Sequence, residues 1–244
     1  MRAHVVTLFP EFFTGPLALS ILGRAVDRGV ARVSCTNPRD FATDRHRTVD
    51  DAPYGGGPGM IMKAPVWVDA VESLVGMGNP RRVPVILLSP QGKPFRQARA
   101  AALARTPEFV LVCGRYKALD ERFKQLVVTE EISMGDFVLS GGEPAALVVL
   151  DAVVRLLPGA LGDEHSAAGD SFGIEGGGGL DCAYYTRPPV YRGHAVPPVL
   201  ISGHHARVAT WRADDAATRT RALRPDLVKE SPLVRGRNPG RRTS

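Results

Sequence analysis

Apolar positions in the first two-thirds of the chain alternate between short continuous runs and stretches with helical spacing. Continuous apolar runs bounded by breakers are typical of strands that a parallel sheet buries on both faces. The predicted strands are His4–Phe9, Val30–Thr36, Pro84–Ser89 and Phe109–Cys113, and the predicted helices are Pro16–Arg28, Arg96–Arg105, Ala118–Val128 and Pro144–Leu157. The alternation predicts an open α/β domain.

The periodic pattern breaks after position 160. Residues 161–179 contain seven glycines and little periodicity, which indicates a flexible linker or lid. Proline-rich turns follow, and then an Arg-rich helical pattern from His204 to about Leu223. We therefore predict an α/β domain over 1–160, a linker or lid over 161–179, a small, mostly helical domain over 180–230, and a disordered basic tail over 231–244.

Composition narrows the class of protein. The chain has 244 residues, 44% hydrophobic, which is enough for one sizeable core or one core with a satellite domain. A formal charge of +6 permits a polyanionic partner without proving one, since a solvated basic surface would give the same count. The three cysteines form neither a CxxC motif nor a disulfide framework.

With no signal-peptide layout and no apolar run of about 20 residues, we expect a cytoplasmic protein without a membrane partner.

Three glycine-containing loops stand out, at residues 53–60, 114–116 and 140–143. Glycines at strand ends let the backbone approach a ligand closely. None of the loops has the spacing of a P-loop or of a dinucleotide-binding fingerprint. A single such loop would favour a tight turn, but three favour a ligand pocket.

Longer motifs carry a family resemblance. They include Leu8–Phe13 (LFPEFF), Val49–Met60 (VDDAPYGGGPGM), Leu88–Gly92 (LSPQG), Gly135–Glu143 (GDFVLSGGE), Asp170–Phe172, Leu180–Cys182, Tyr185–Pro188 (YTRP) and Val196–Gly203 (VPPVLISG). Together they closely resemble the TrmD family of tRNA (guanine-37-N1)-methyltransferases. The similarity extends from the first strand to about Leu227.

The resemblance implies a SPOUT-type fold, an open parallel sheet with a deep trefoil knot. Periodicity alone would not suggest a knot, because knotted chains are rare. The resemblance further implies an obligate homodimer with active sites at the subunit interface, and S-adenosylmethionine bound bent in the knot. The implied cofactor-binding residues are Leu87, Leu88, Ser89, Pro90, Gly114, Tyr116, Met134, Gly135, Leu139, Gly141 and Gly142.

The resemblance implies two catalytic residues as well. Because N1 of guanine carries a proton at neutral pH, a base must remove that proton as the methyl group moves. Asp170 resembles the family's general base, and Arg155 matches the arginine that stabilises the charge developing on O6. The target guanine must be flipped out of its stack, and cations must hold the tRNA backbone. The candidate RNA-binding residues are His46, Arg47, Arg187, Arg207, Arg212 and Arg219.

Two adjacent positions depart from the family motif. Where the family usually has Gly-Arg-Tyr-Glu-Gly, this chain has Lys117 and Ala118 after Gly114-Arg115-Tyr116. A lysine in place of an acid beside the methyl donor puts the family's Mg²⁺ dependence in question, and no metal-ligating residues are predicted. Two alternatives to an ordinary family enzyme follow: a divergent paralogue with altered substrate, metal or inhibitor sensitivity, and a catalytically weakened RNA- or cofactor-binding protein.

Overall fold

The computed structural model describes residues 1–162, 169–173 and 177–228 of the chain. It divides into two compact units, Met1–Glu164 and His165–Ser244. The predicted basic tail 231–244, and residues 163–168 and 174–176 of the predicted linker, lie outside the described residues.

The first unit is built on a five-stranded parallel sheet with the strand order β2-β1-β6-β5-β8. Its strands are β1 (Arg2–Val6), β2 (Arg32–Thr36), β5 (Val85–Pro94), β6 (Glu108–Cys113) and β8 (Glu130–Ser133). Three two-residue strands form a separate small sheet, namely β3 (Asp50–Asp51), β4 (Ile61–Met62) and β7 (Ala118–Leu119). The helices are α1 (Thr14–Leu17), α2 (Ser20–Asp27), α3 (Ala64–Val75), α4 (Gln97–Ala104), α5 (Glu121–Val127) and α6 (Glu143–Val154). The predicted α/β class is confirmed.

The central strands are buried on both faces because helices cover each side of the sheet. Every residue of β6 is buried. Its residues Phe109 and Leu111 point into one apolar cluster with α2, α4 and α6, whereas Val110 and Val112 point into a second cluster with α3 and α5. A continuous apolar run is therefore what a strand at this place requires.

Local structure departs from the predicted pattern at several places. The predicted helix Pro16–Arg28 is interrupted, because Leu19 is extended and Ser20 has a φ of +55°. The chain doubles back there so tightly that a Cβ on Gly23 would lie 2.6 Å from the carbonyl carbon of Ala18. Helix α3 and strand β8 were not predicted; the β8 segment carries two glutamates and only one apolar residue, Ile132.

A cluster of ionic groups joins the amino-terminal ends of β1 and β6. Glu108 is nearly buried, and its carboxylate lies 3.2 Å from Arg2, 2.9 Å from Arg81 and 2.9 Å from Nε2 of His4. Desolvation alone would raise the pKa of Glu108, but the His4 hydrogen bond and the two arginine charges outweigh it and lower that pKa. This carboxylate therefore remains ionised on mild acidification.

All three cysteines are free thiols. Burial raises the pKa of Cys35 to about 11. Burial, reinforced by the nearby charge of Glu143, raises the pKa of Cys113 well above its usual range. Burial also gives a raised pKa at Cys182. We conclude that these thiols are poor nucleophiles in the folded protein.

The second unit contains a hairpin and one long helix. Its elements are β9 (Val190–Tyr191), β10 (His194–Ala195) and α7 (His205–Leu223), with short 3₁₀ turns at Pro198–Ile201 and Pro225–Leu227. Residues 169–173 and 177–179 of the predicted linker belong to this unit, where Asp181 N–H donates to Ser171 Oγ (3.0 Å) and Phe172 N–H donates to Gly179 O (2.7 Å). Within the part of the chain that the structure describes, no helix has the length and apolar character needed to cross a membrane.

Candidate cofactor pocket and RNA-binding residues

A pocket of about 300 Å³ opens at the carboxyl ends of β6 and β8, beside the irregular segment 89–91 within β5. This edge of an open parallel sheet is where α/β proteins usually bind ligands, because the loops that leave the strands are free to form a site there. Its floor is apolar, with Leu87, Leu88, Ile132 and Ala145, and its walls come from segment 89–91 of β5 and from the loops after β6 and β8.

All eleven residues predicted to bind the cofactor line this one pocket. They come from segments as far apart as Leu87 and Gly142, which the fold brings together. The prediction missed several other lining residues, most of them neighbours on the same loops, namely Met62, Gln91, Arg115, Lys117, Lys124, Phe137, Val138 and Ser140.

The three glycine loops are connected in the fold. The loop after β6 accepts a backbone hydrogen bond from the loop before α6, from Gly142 N–H to Gly114 O at 3.0 Å. Lys117 N–H donates to Met60 O at 3.1 Å, so the 53–60 loop lies beside the loop after β6. Only the second and third loops line the pocket, and the 53–60 loop supports them from outside.

At two of the pocket glycines, neighbouring protein atoms leave no room for a side chain. A Cβ on Gly142 would lie 2.6 Å from the Cα of Cys113, and one on Gly141 would lie 2.2 Å from Nε of Arg115. Neither glycine has a left-handed φ, so space, not backbone conformation, explains the residue type. By contrast, Tyr116 adopts a φ of +58° at the pocket, a left-handed conformation that costs a non-glycine residue energy.

The sequence matches one protein family over most of its length. The profile of the family described as tRNA (guanine-1)-methyltransferase TrmD matches residues 1–230. The chain belongs to this family. Curated relatives named tRNA (guanine-N(1)-)-methyltransferase include those of Gloeobacter violaceus, 52% identical over 93% of this chain and 98% of the relative, and of Brevibacillus brevis, 50% identical over 96% and 94%. The relative from Synechococcus sp. (strain JA-3-3Ab) is 50% identical over 96% of this chain and 90% of its own length.

Membership of the TrmD family implies the use of S-adenosylmethionine, and the pocket suits such a ligand. Its volume is at the lower end of the range for small-molecule sites. Apolar side chains cover its floor, and the glycine loops around it present backbone polar groups without intervening side chains.

Three cations line the pocket, and two of them are neutralised by acids. Arg115 pairs with Glu143 at 3.0 Å, and Lys124 pairs with Glu131 at 3.3 Å. Lys117, the third, has no carboxylate at ion-pair distance among the described residues. Its stem packs against Gly59, where an added Cβ would lie 3.2 Å from the Cβ of Lys117.

In ranges 1–162, 169–173 and 177–228, no group of three or more His, Cys, Asp or Glu side chains could hold a metal ion.

The two predicted catalytic residues do not line the pocket. Arg155 caps the carboxyl end of α6, whose amino-terminal residue, Glu143, lies beneath the pocket. Twelve residues of helix separate the two ends, which corresponds to about 18 Å. Asp170 belongs to the second unit, where its carbonyl accepts a hydrogen bond from Gly173 N–H at 2.8 Å.

The predicted RNA-binding residues lie on both units. In the first unit, His46 and Arg47 occupy an exposed turn, and Arg47 pairs with Asp40 at 2.8 Å. In the second unit, Arg187 and Arg212 line one cavity of about 480 Å³.

The remaining two RNA-binding candidates lie on α7. Arg207 is exposed to solvent. Arg219 pairs with Asp215 on the same helix at 2.7 Å, which reduces the positive charge it presents to a polyanion.

Proposed function

We propose that this protein transfers the methyl group of S-adenosylmethionine to N1 of guanine 37 in tRNA, next to the anticodon. The observation that carries the proposal is the convergence of all eleven expected cofactor residues on one pocket at the carboxyl edge of the sheet. Family membership supplies the substrate class. No finding favours a catalytically weakened binding protein or a paralogue with another substrate.

The pocket residues would hold the cofactor, with the apolar floor under its flat or aliphatic parts and the glycine loops around its polar edges. When bound, the cofactor supplies an electrophilic methyl group on a sulfonium. Tyr116, Met134 and Leu139 would exclude water from the reacting face and fix the direction of transfer.

Asp170 would act as the general base that takes the N1 proton of guanine, and Arg155 would stabilise the negative charge that grows on O6. We propose that Asp170 enters the site together with the tRNA substrate. The guanine would be flipped into the site, and the arginines of the second unit would neutralise backbone phosphates.

We also propose the knotted SPOUT topology and a homodimer with the pocket at its interface, in a protein that acts in the cytoplasm, where its tRNA substrate is found. Two observations support the dimer. Phe137, Val138 and Leu139, at the pocket, are exposed apolar residues, which is typical of a surface that a partner covers. Arg155 lies about 18 Å along α6 from the pocket end of that helix, so a partner subunit is the natural source of an arginine at each site.

The main experiment measures methyl transfer to unmodified tRNA that carries guanine at positions 36 and 37. Asp170→Asn should lower kcat by about a hundredfold or more, while the Kd for S-adenosylmethionine stays unchanged. Asp214→Asn, at an exposed acid on α7, is the matched control and should retain wild-type activity. An unchanged rate in Asp170→Asn would refute the proposed mechanism.

A mixing experiment tests the composite site. Arg155→Ala subunits are refolded in equal amounts with Gly114→Asp subunits, in which the added Cβ makes only ordinary contacts and the carboxylate blocks the pocket. If each site uses one subunit's pocket and the other's arginine, the mixture should recover about a quarter of the wild-type rate, because half the dimers are mixed and each contains one complete site. A rate no higher than that of the separate variants would place both functions in one subunit.

Metal dependence is tested by the same assay with and without Mg²⁺. We propose that the Lys117 ammonium, which lacks a carboxylate partner among the described residues, reduces the effect of the ion. Lys117→Glu should therefore raise the stimulation by Mg²⁺. Equal stimulation of the wild type and the variant would show that position 117 has no part in metal use.

A further inference from the structure

A buried ionic group lies behind the pocket wall and outside the predicted site. Glu143, the first residue of α6, has no exposed surface, and its Oε2 lies 3.0 Å from Nη2 of Arg115. Its Oε1 accepts a hydrogen bond from Thr7 Oγ1 at 2.7 Å. Thr7 is also fully buried and directly follows β1, so the carboxylate joins the end of one strand to the start of a helix.

The Arg115 side chain spans the space between this carboxylate and the pocket loop. Its guanidinium lies 4.4 Å from the centroid of the Phe9 ring, within the range of a cation–π contact. Its Nη1 donates to Ser140 O at 3.4 Å. Phe9 N–H in turn donates to Thr7 Oγ1 at 3.0 Å, which closes a ring of contacts through Thr7, Glu143, Arg115 and Phe9.

The same group explains why the loop has its sequence. An added Cβ on Gly141 would lie 2.2 Å from Nε of Arg115 and 2.5 Å from Oε2 of Glu143. The loop therefore rests directly on the ion pair. Any displacement of Arg115 would remove the surface that supports the backbone of residues 140–142.

Stability alone does not account for this arrangement. A buried ion pair must overcome a desolvation cost and is often no more stabilising than apolar residues of the same shape. Among the described residues, Arg115 Nε has no hydrogen-bond partner, and Glu143 Oε2 has only its ion pair with Arg115. A fixed ionic group in direct contact with a ligand loop is better suited to holding that loop in one geometry.

We propose that Thr7, Phe9, Arg115 and Glu143 form a strut that positions the Ser140–Gly142 loop for the cofactor. The inference rests on the proposed function, since the strut acts through the pocket assigned to S-adenosylmethionine. It gives a role to Phe9, which belongs to the LFPEFF motif and does not line the pocket. Thr7 and Phe9 are positioning residues, because both act through Arg115 or Glu143.

The test compares threonine variants by calorimetric titration with S-adenosylmethionine. Thr7→Val removes the hydroxyl that donates a hydrogen bond to Glu143 and keeps the shape of the side chain. It should raise the Kd for S-adenosylmethionine about tenfold. Thr7→Ser keeps the hydroxyl and should restore wild-type affinity. Thr129→Val is the control, because Thr129 Oγ1 bonds to both N–H and C=O of Val85 at the opposite end of β5. It should lower the melting temperature and leave the Kd unchanged.

A second pair of variants covers the case in which Thr7→Val fails to fold. Phe9 and Phe12 belong to the same motif and are 40% and 41% exposed. Phe9→Leu removes the ring under Arg115 and should raise the KM for S-adenosylmethionine several-fold, with kcat at saturation within about twofold of wild type. Phe12→Leu should change neither constant.

The outcomes separate the two proposals. A wild-type protein that binds no S-adenosylmethionine would overturn the proposed function and the strut with it. A wild-type protein that binds it, together with unchanged affinity in Thr7→Val and Phe9→Leu, would overturn the strut alone. Equal weakening by Thr129→Val or Phe12→Leu would also overturn it, because the effect would then be one of general stability.

Discussion

Gly92→Ala should be strongly destabilising, because this glycine lies against the backbone of a neighbouring strand. An added Cβ would lie 2.4 Å from Ile132 N, 2.5 Å from the Glu131 carbonyl carbon and 2.5 Å from the Ile132 carbonyl carbon. Gly92 has no left-handed φ, so the loss of stability would come from steric overlap of the added Cβ and not from backbone strain.

The size of the effect follows from these distances. Carbon atoms are in favourable contact at about 3.5–4.0 Å, so β5 and β8 would have to separate by roughly 1 Å. Overpacking costs about 1–3 kcal/mol. We expect the upper end, about 3 kcal/mol, because the colliding atoms are backbone and cannot change rotamer. That corresponds to a fall of roughly 6–12 °C in the melting temperature of a unit of this size.

The assay is thermal unfolding followed by circular dichroism, with cofactor titration as a second readout. The register shift between β5 and β8 lies between Leu88 and Lys93, and Ser89, Pro90 and Gln91 within it line the pocket. The Kd for S-adenosylmethionine should therefore rise as well. Gly15→Ala is the matched control, since nothing lies within 4 Å of a Cβ there, and its stability should be unchanged or slightly higher. A melting temperature for Gly92→Ala within about 1 °C of wild type would refute the overlap argument.

Three further predictions concern charge and thiol chemistry. The pKa of Glu108 is lowered in the folded state, so its ionised carboxylate stabilises the fold fully above the unfolded pKa, and this stabilisation is lost as the pH falls through the folded pKa. The loss of stability caused by Glu108→Gln should therefore shrink between about pH 6 and pH 3 in thermal melts. A loss that stays constant over this range would contradict the prediction. Raised thiol pKa values, about 11 at Cys35, should make labelling by a disulfide reagent at about pH 8 at least tenfold slower in native than in urea-unfolded protein, and equal rates would contradict this. Arg207→Ala and Arg212→Ala should each reduce the slope of log affinity for tRNA against log salt by about 1, and a parallel salt dependence would exclude phosphate contacts by these side chains.

Much of the first unit could be predicted from the sequence, because a strand buried on both faces must be apolar throughout. The runs around Val85–Leu88 and Phe109–Cys113 fit this environment, and both are buried strands of the parallel sheet. Strand β8 was not predicted, because its sequence contains no continuous apolar run. Its two glutamates are tolerated because Glu130 pairs with Arg99 and Glu131 pairs with Lys124, partners that only the folded chain brings near.

The cofactor residues were predicted from motifs, and the shared pocket is a property of the fold. Parallel strands place their carboxyl ends at one edge of the sheet, so loops separated by tens of residues meet there. The pairing of Arg115 with Glu143 could not have been predicted in the same way. Glu143 lies on the first turn of a helix and is fully buried against Arg115 from another loop. The pattern of apolar and polar residues around either position does not indicate this contact.

The sequence by itself determined the family, the α/β class and two of the loops that line the pocket, because these depend on residue patterns that are local along the chain. Only the tertiary structure decided which of those loops support one another, which glycines are needed for space, and that Arg155 lies a helix length from Gly142. Contacts of this kind depend on side chains that are distant in sequence and close in space. Their energies arise from burial and packing, which no local pattern encodes.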